Sequence, residues 1–256
     1  MPSTLDALVQ SCQQQLDADT ARHCADYSAR GGRIFCASGC SNCCSLVVNA
    51  TLPEALVVAA SLSPGQIAPL KAHVERMLAD WDEQRDLKSY LLWHRQSVGL
   101  CPLLTAGGEC GVYPVRPLAC RALLATRPAD WCAVDFSSLS RLEKELFMGS
   151  LDRSAVAFPT HYFAATQELG EELEQRLTLA QQQAWGFSLS GNLNALIYLE
   201  LEFSIGEVVG QGEGAVAELL RKSGLDRPML LQFGSRTVLE GAFPRPLPAE
   251  SLEEKR

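Results

Sequence analysis

Apolar residues recur at helical spacing along most of this chain. Leu5, Leu8, Cys12 and Leu16 step by three or four, and Cys24 with Tyr27 continues the face, which predicts a helix over residues 3–28. Cys12 and Cys24 fall on the core face of that helix and read as small buried hydrophobes. Thr51-Leu52-Pro53-Glu54 supplies a capping residue, a first-turn proline and a glutamate that can reach back, the opening of a second helix. Ser63-Pro64-Gly65-Gln66 repeats the device for a third, whose stripe Ile67, Leu70, Val74, Met77 and Trp81 faces a core. Further helices are marked by Leu139, Leu142 and Leu146, by Leu169, Leu173, Leu177, Ala180 and Ala184, by 193–199, and by 215–220, the last closed at Ser223-Gly224.

The breaks between these periodic stretches carry different signals. Gly31-Gly32 ends the first helix, and Leu46-Val47-Val48 is a short strand-like run. Cys101 to Tyr113 reads as a hairpin folded about Gly107-Gly108. Pro114-Val115-Arg116-Pro117 turns the chain, and Leu118 starts a helix with Cys120 in its first turn, where the dipole is expected to lower the thiol pKa. The tail from Pro244 to Arg256, rich in proline and charge, is expected to fray. These signals together predict a mostly helical α+β protein. Residues 1–135 would form a small cysteine-bound metal module with a β-hairpin packed on helices, and 136–256 a helical C-terminal region.

Composition narrows the function classes. Of the 256 residues, 47% are hydrophobic and 20% charged, ordinary values for a globular protein. The net charge of -8 disfavours a broad electrostatic surface for nucleic acid, so no nucleic-acid partner is expected. No segment reaches the roughly 18 uninterrupted apolar residues of a membrane span, and the N-terminal Met-Pro-Ser-Thr-Leu-Asp carries no basic leader. A cytoplasmic protein with free thiols and no membrane contact is the resulting expectation.

All ten cysteines lie at or before Cys132, and four of them crowd into Cys36, Cys40, Cys43 and Cys44. No packing need explains four thiols in nine residues, whereas thiolates select zinc, cuprous copper and iron–sulfur clusters. The spacing Cys36-x3-Cys40-x2-Cys43 lets successive thiols turn onto one centre, with Gly39 placed for the bend. Side chains of the adjacent pair Cys43-Cys44 diverge, so either one is spare or more than one metal is held. With Cys101, Cys110 and Cys120 the thiols number seven, more than a closed tetrahedral zinc site takes. Three accounts stay open: one zinc or iron–sulfur cluster with spare thiols, two metals sharing the set, or redox thiols beside a metal. Arg116 and Arg121 flank Cys120, either to offset thiolate charge or to satisfy turn carbonyls.

Two stretches closely resemble the YkgJ-like cysteine-cluster family of zinc- or iron-chelating domains. The shared features are Cys-x3-Cys-x2-Cys-Cys at Cys36, Cys40, Cys43 and Cys44, a helix opened by Pro53-Glu54, and Cys101-Pro102-Leu103-Leu104. Last comes Cys-x-x-Tyr-x-x-Arg-Pro-x-x-Cys-Arg, matched by Cys110, Tyr113, Arg116, Pro117, Cys120 and Arg121. The resemblance covers about residues 30–125. It implies chelation of zinc or iron, including an iron–sulfur cluster, by these seven cysteines, and brings no settled reaction. A flagellin lysine methylase carries a similar cluster, an analogy for an enzyme that modifies a protein partner. Cys12, Cys24 and Cys132 lie outside the matched pattern and take no ligand role from it.

Other chemistry finds little foothold. Phosphate-loop, nucleophile-elbow and His-Glu-x-x-His motifs are missing from the sequence. Gly210-Gln211-Gly212-Glu213-Gly214, after Val208-Val209, resembles a nucleotide or methyl-donor loop, but too few residues follow to complete a doubly wound sheet. The expected function is metal binding, structural or for metal handling. The alternatives are an iron–sulfur or iron-dependent enzyme acting on a protein partner through the C-terminal half, and a thiol redox sensor.

Overall fold

A computed structural model describes residues 4–81 and 86–235. The expectation for the tail from Pro244 onward lies outside these residues. The long first helix, α1 (Thr4–Ala29), buries Leu5, Val9, Cys12, Leu16 and Tyr27, so Cys12 takes the core position its spacing predicted. A 3-10 turn (Asn42–Ser45) and strand β1 (Asn49–Thr51) lead into α2 (Leu52–Ser61) and α3 (Pro64–Ala79). Both helices carry the capping box and first-turn proline read from the sequence. Next come α4 (Leu87–Trp93), continued by a π-helical turn (His94–Val98), then the short α5 (Leu118–Ala122) and α6 (Arg141–Gly149). The C-terminal half adds α7 (Ala164–Trp185), β2 (Phe187–Asn192), α8 (Leu193–Phe203), α9 (Ile205–Val208), α10 (Glu213–Ser223) and β3 (Leu231–Ser235).

The described chain is mostly helical, with a small antiparallel sheet in the order β1-β2-β3. Ala50 pairs with Gly191 on one side of β2, and Gly191 with Leu231 on the other. This sheet gathers distant parts of the chain around one apolar core. Leu52, Val58, Leu70, Val74, Met77 and Tyr90 pack there with Phe187, Leu189, Leu196, Ile197 and Leu199. A second cluster joins α1, α5 and α7 through Val9, Cys12, Leu16, Leu118, Ala122, Leu173 and Leu177.

Several local expectations are corrected. The strand-like run ends just before the strand itself: β1 begins at Asn49, while the Val48 carbonyl accepts the Leu193 N–H at 2.9 Å. The hairpin at Cys101–Tyr113 shrinks to one antiparallel bridge, Leu104 with Cys110, closed by a tight turn in which the Gly108 N–H donates to the Thr105 carbonyl at 2.9 Å. The helix of Leu142 and Leu146 forms, yet both leucines face solvent at 65% exposure. Phe147 is the side chain that packs inward, onto Trp131 and Phe136 with ring centroids 4.4 and 4.7 Å away. No strand feeds the glycine-rich stretch: Val208 ends a helical turn, Val209–Gln211 forms a 3-10 turn, and Gly212 links it to α10. No helix of the described residues is long and apolar enough to cross a membrane.

Candidate functional site

Gly39 adopts φ +79 at the bend of the first cysteine loop, a conformation that side chains resist. The bend delivers the chain into the Asn42–Ser45 turn, which carries Cys43 and Cys44. The Cys44 carbonyl then accepts the main-chain N–H of Cys101 at 2.8 Å, tying the first cysteine segment to the second across 57 residues. Cys120 is placed from below: Thr166 Oγ1 on α7 donates to the Ala122 carbonyl at 2.7 Å, and Leu118 donates its N–H to Glu54 on α2 at 2.8 Å.

All ten cysteines carry free thiols. Five of the seven predicted ligands have their ionisation shifted with a contribution from neighbouring cysteines. Cys44 is pushed up by its hydrogen bond with Cys43, then by burial and by charge on Cys43, Cys101 and Cys120. The same hydrogen bond holds Cys43 below the ordinary thiol range, with Arg116 assisting. Burial raises Cys101 to about 11, and charge on Cys110 and Cys43 adds to the rise. Cys120 is also pushed up, first by burial and then by charge on Cys101, Cys43 and Cys110. The lowering expected from its helix N-terminus is overridden, because α5 has only five residues and the thiol is desolvated. Cys36 stands further out, accepting the Ala125 N–H at 3.2 Å. It is raised by burial and by charge on Cys43 and Cys40, and lowered by the Ala125 bond and by Arg116.

The two arginines divide the roles foreseen for them. Arg121 is buried and satisfies the turn: it donates to the carbonyls of Arg116, at 2.8 Å, and Pro114, and pairs with Asp17 on α1. The Arg116 guanidinium lies 4.1 Å over the Tyr113 ring and lowers the thiol pKa of Cys43, Cys36 and Cys120. Arg116 thus supplies the positive charge beside the thiols, and Arg121 holds the backbone that carries them.

Three groups outside the matched pattern also reach this region. Cys132 is buried, with its sulfur 3.3 Å from His161 Nε2 and a hydrogen bond from the Tyr162 hydroxyl. Cys24 is raised by burial and by charge on Cys36. His94 places Nδ1 3.3 Å from the Ser45 carbonyl, one residue beyond Cys44, while its buried Nε2 has no partner. Spacing in the sequence could not find His161 and Tyr162, which follow Cys132 by about thirty residues with no local motif.

The donor set fits a thiophilic metal: reduced sulfurs, crowded, partly buried and beside one guanidinium. The side chains as they stand do not close on one. Among the described residues, no group of three or more His, Cys, Asp or Glu side chains converges closely enough to hold a metal ion. No family model, no curated protein and no solved structure matches the chain.

Proposed function

We propose that this protein is a cysteine-cluster metal binder, holding zinc or iron, the latter as ions or as an iron–sulfur cluster. Cys36, Cys40, Cys43, Cys44, Cys101, Cys110 and Cys120 would provide the ligands, as in the YkgJ-like family that the motifs resemble. The observation that carries this reading is the Cys101–Cys44 backbone bond, which joins two cysteine segments whose thiols then raise one another's pKa. Thiols gathered in this way stay protonated until a cation takes the place of their protons, and metal binding would release those protons. Bound zinc would supply a rigid crosslink, and an iron–sulfur cluster electron transfer. Arg116 offsets the remaining negative charge. The Cys44, Cys101 and Glu54 contacts hold the two segments in register, so the site serves structure or metal handling.

Elemental analysis with acid-labile sulfide, on full-length protein purified without oxygen, tests the proposal. The expected result is stoichiometric zinc or iron, with chelation loosening residues 36–132 in hydrogen exchange. Folded, metal-free material that also fails to take up zinc or ferrous iron overturns it. A thiol-sensor reading draws on the Cys43–Cys44 hydrogen bond alone. It would show as reversible metal loss on mild oxidation, with disulfides among the thiols of residues 36–44.

A further inference from the structure

We propose that a cavity between α1, α2 and the α8–α9 corner binds a small amphiphilic cation, a protonated amine on an apolar body. The site is separate from the metal-binding reading, since no cysteine lines it. Its volume is about 610 Å³, within the range of pockets that take small organic molecules. Leu5, Leu56, Val115, Val209 and Trp185 make most of the wall apolar, and Trp185 adds an aromatic surface that suits a ring or a cation. The charged groups among its lining residues are carboxylates alone: Asp6, in the first turn of α1, and Glu200, on α8.

The backbone around Glu200 is shaped to hold its carboxylate at this wall. The Gly206 N–H donates to Glu200 Oε2 at 2.8 Å. A Cβ at position 206 would stand 3.1 Å from that oxygen and 3.4 Å from Leu56 Cδ2, so the glycine keeps the place beside the carboxylate clear. Ser204 joins α8 to α9 at φ 49, the one positive φ outside glycine among the described residues. Such a conformation is costly for a residue with a side chain, and here it turns the Gly206 N–H back onto α8. Glu200 enters no ion pair among the described residues. A neutral apolar guest would cover this carboxylate without replacing its water, and an anion would face both carboxylates. A protonated amine does neither: its charge meets Glu200 and Asp6, and its body meets the apolar wall and Trp185. The attraction strengthens as the ligand displaces water from between the charges.

The test measures binding to reduced, full-length protein by isothermal titration calorimetry, with tryptamine and octylamine as amine probes. Tryptophol and indole-3-propionate serve as the neutral and anionic counterparts of tryptamine. Tryptamine should bind roughly tenfold more tightly than tryptophol, and indole-3-propionate should not bind. Glu200→Gln keeps an acceptor for the Gly206 N–H but removes the charge. Tryptamine should then weaken roughly tenfold while tryptophol binds as to wild type, whereas a packing role for Glu200 would weaken both. Ala60→Trp, at an exposed position on the rim, should block both amines with a wild-type thermal midpoint. Equal affinity for tryptamine and tryptophol overturns the inference, as does wild-type amine binding in Glu200→Gln or in Ala60→Trp. Failure of both amines to bind wild type at millimolar concentration also overturns it, and leaves the metal-binding reading standing. Should Glu200→Gln not fold, Ala60→Trp and the three indole probes decide on their own.

Discussion

Glu54 and Leu118, 64 residues apart, are joined by a hydrogen bond from the Leu118 N–H to a fully buried carboxylate oxygen at 2.8 Å. The other oxygen accepts the N–H and hydroxyl of Thr51, at 2.8 and 2.7 Å. One side chain thus caps α2 and, at the same time, the helix that carries Cys120. Burial pushes the Glu54 pKa up, while these bonds and Arg121 pull it back. Glu54→Gln replaces one acceptor by a donor facing an N–H. We expect it to cost about 1–3 kcal/mol, read as a lower urea midpoint.

Arg116 and Arg121 should separate in experiment. Arg121→Gln loses the Asp17 pair and the carbonyls of Arg116 and Pro114, so the metal-free chain should lose about 1–3 kcal/mol. Arg116→Gln removes chiefly a charge and a ring contact, and should change that stability by less than about 1 kcal/mol. The same variant should release metal to a chelator faster than wild type. Parallel denaturation and chelator-competition measurements on both variants check the division.

Stability should fall as pH rises through a window set by Glu174. Burial first, then charge on Glu54 and Glu171, holds this carboxyl at about 8, against an ordinary value of 4.5. The folded state therefore keeps the proton more readily, and its advantage is complete below pH 4.5 and lost as pH passes 8. Glu174→Gln should flatten this slope and leave the protein about 1–3 kcal/mol more stable than wild type at pH 9. Urea midpoints for the two chains at pH 5 and pH 9 measure the difference.

Gly191 sits at φ +141 near the C-terminal end of β2, the central strand, paired with Ala50 and Leu231. A Cβ there would strike the Leu230 carbonyl and stand 2.8 Å from Leu231 Cα. Gly191→Ala should cost about 2–4 kcal/mol through both strain and contact, visible as a lower thermal midpoint.

The sequence by itself determined what local forces govern. The boundaries of α2 and α3 follow from Thr51, Pro53, Ser63 and Pro64, because caps and first-turn prolines act within a few residues. The buried stripe of Leu70, Val74 and Met77, and the Gly224 end of α10, were legible for the same reason. The crowding of sulfurs at 36–44 and the motifs around Cys110 and Cys120 marked the candidate site without any coordinates. Tertiary structure alone decided which faces close and which groups meet. Leu142 and Leu146 kept helical spacing but lost the inside to Phe147, whose ring fits Trp131 and Phe136. Burial, a property of the whole fold, reversed the ionisation expected for Cys120. The pairing of Cys132 with His161 depends on chain paths that no short-range pattern encodes, since its hydrogen bond spans 29 residues.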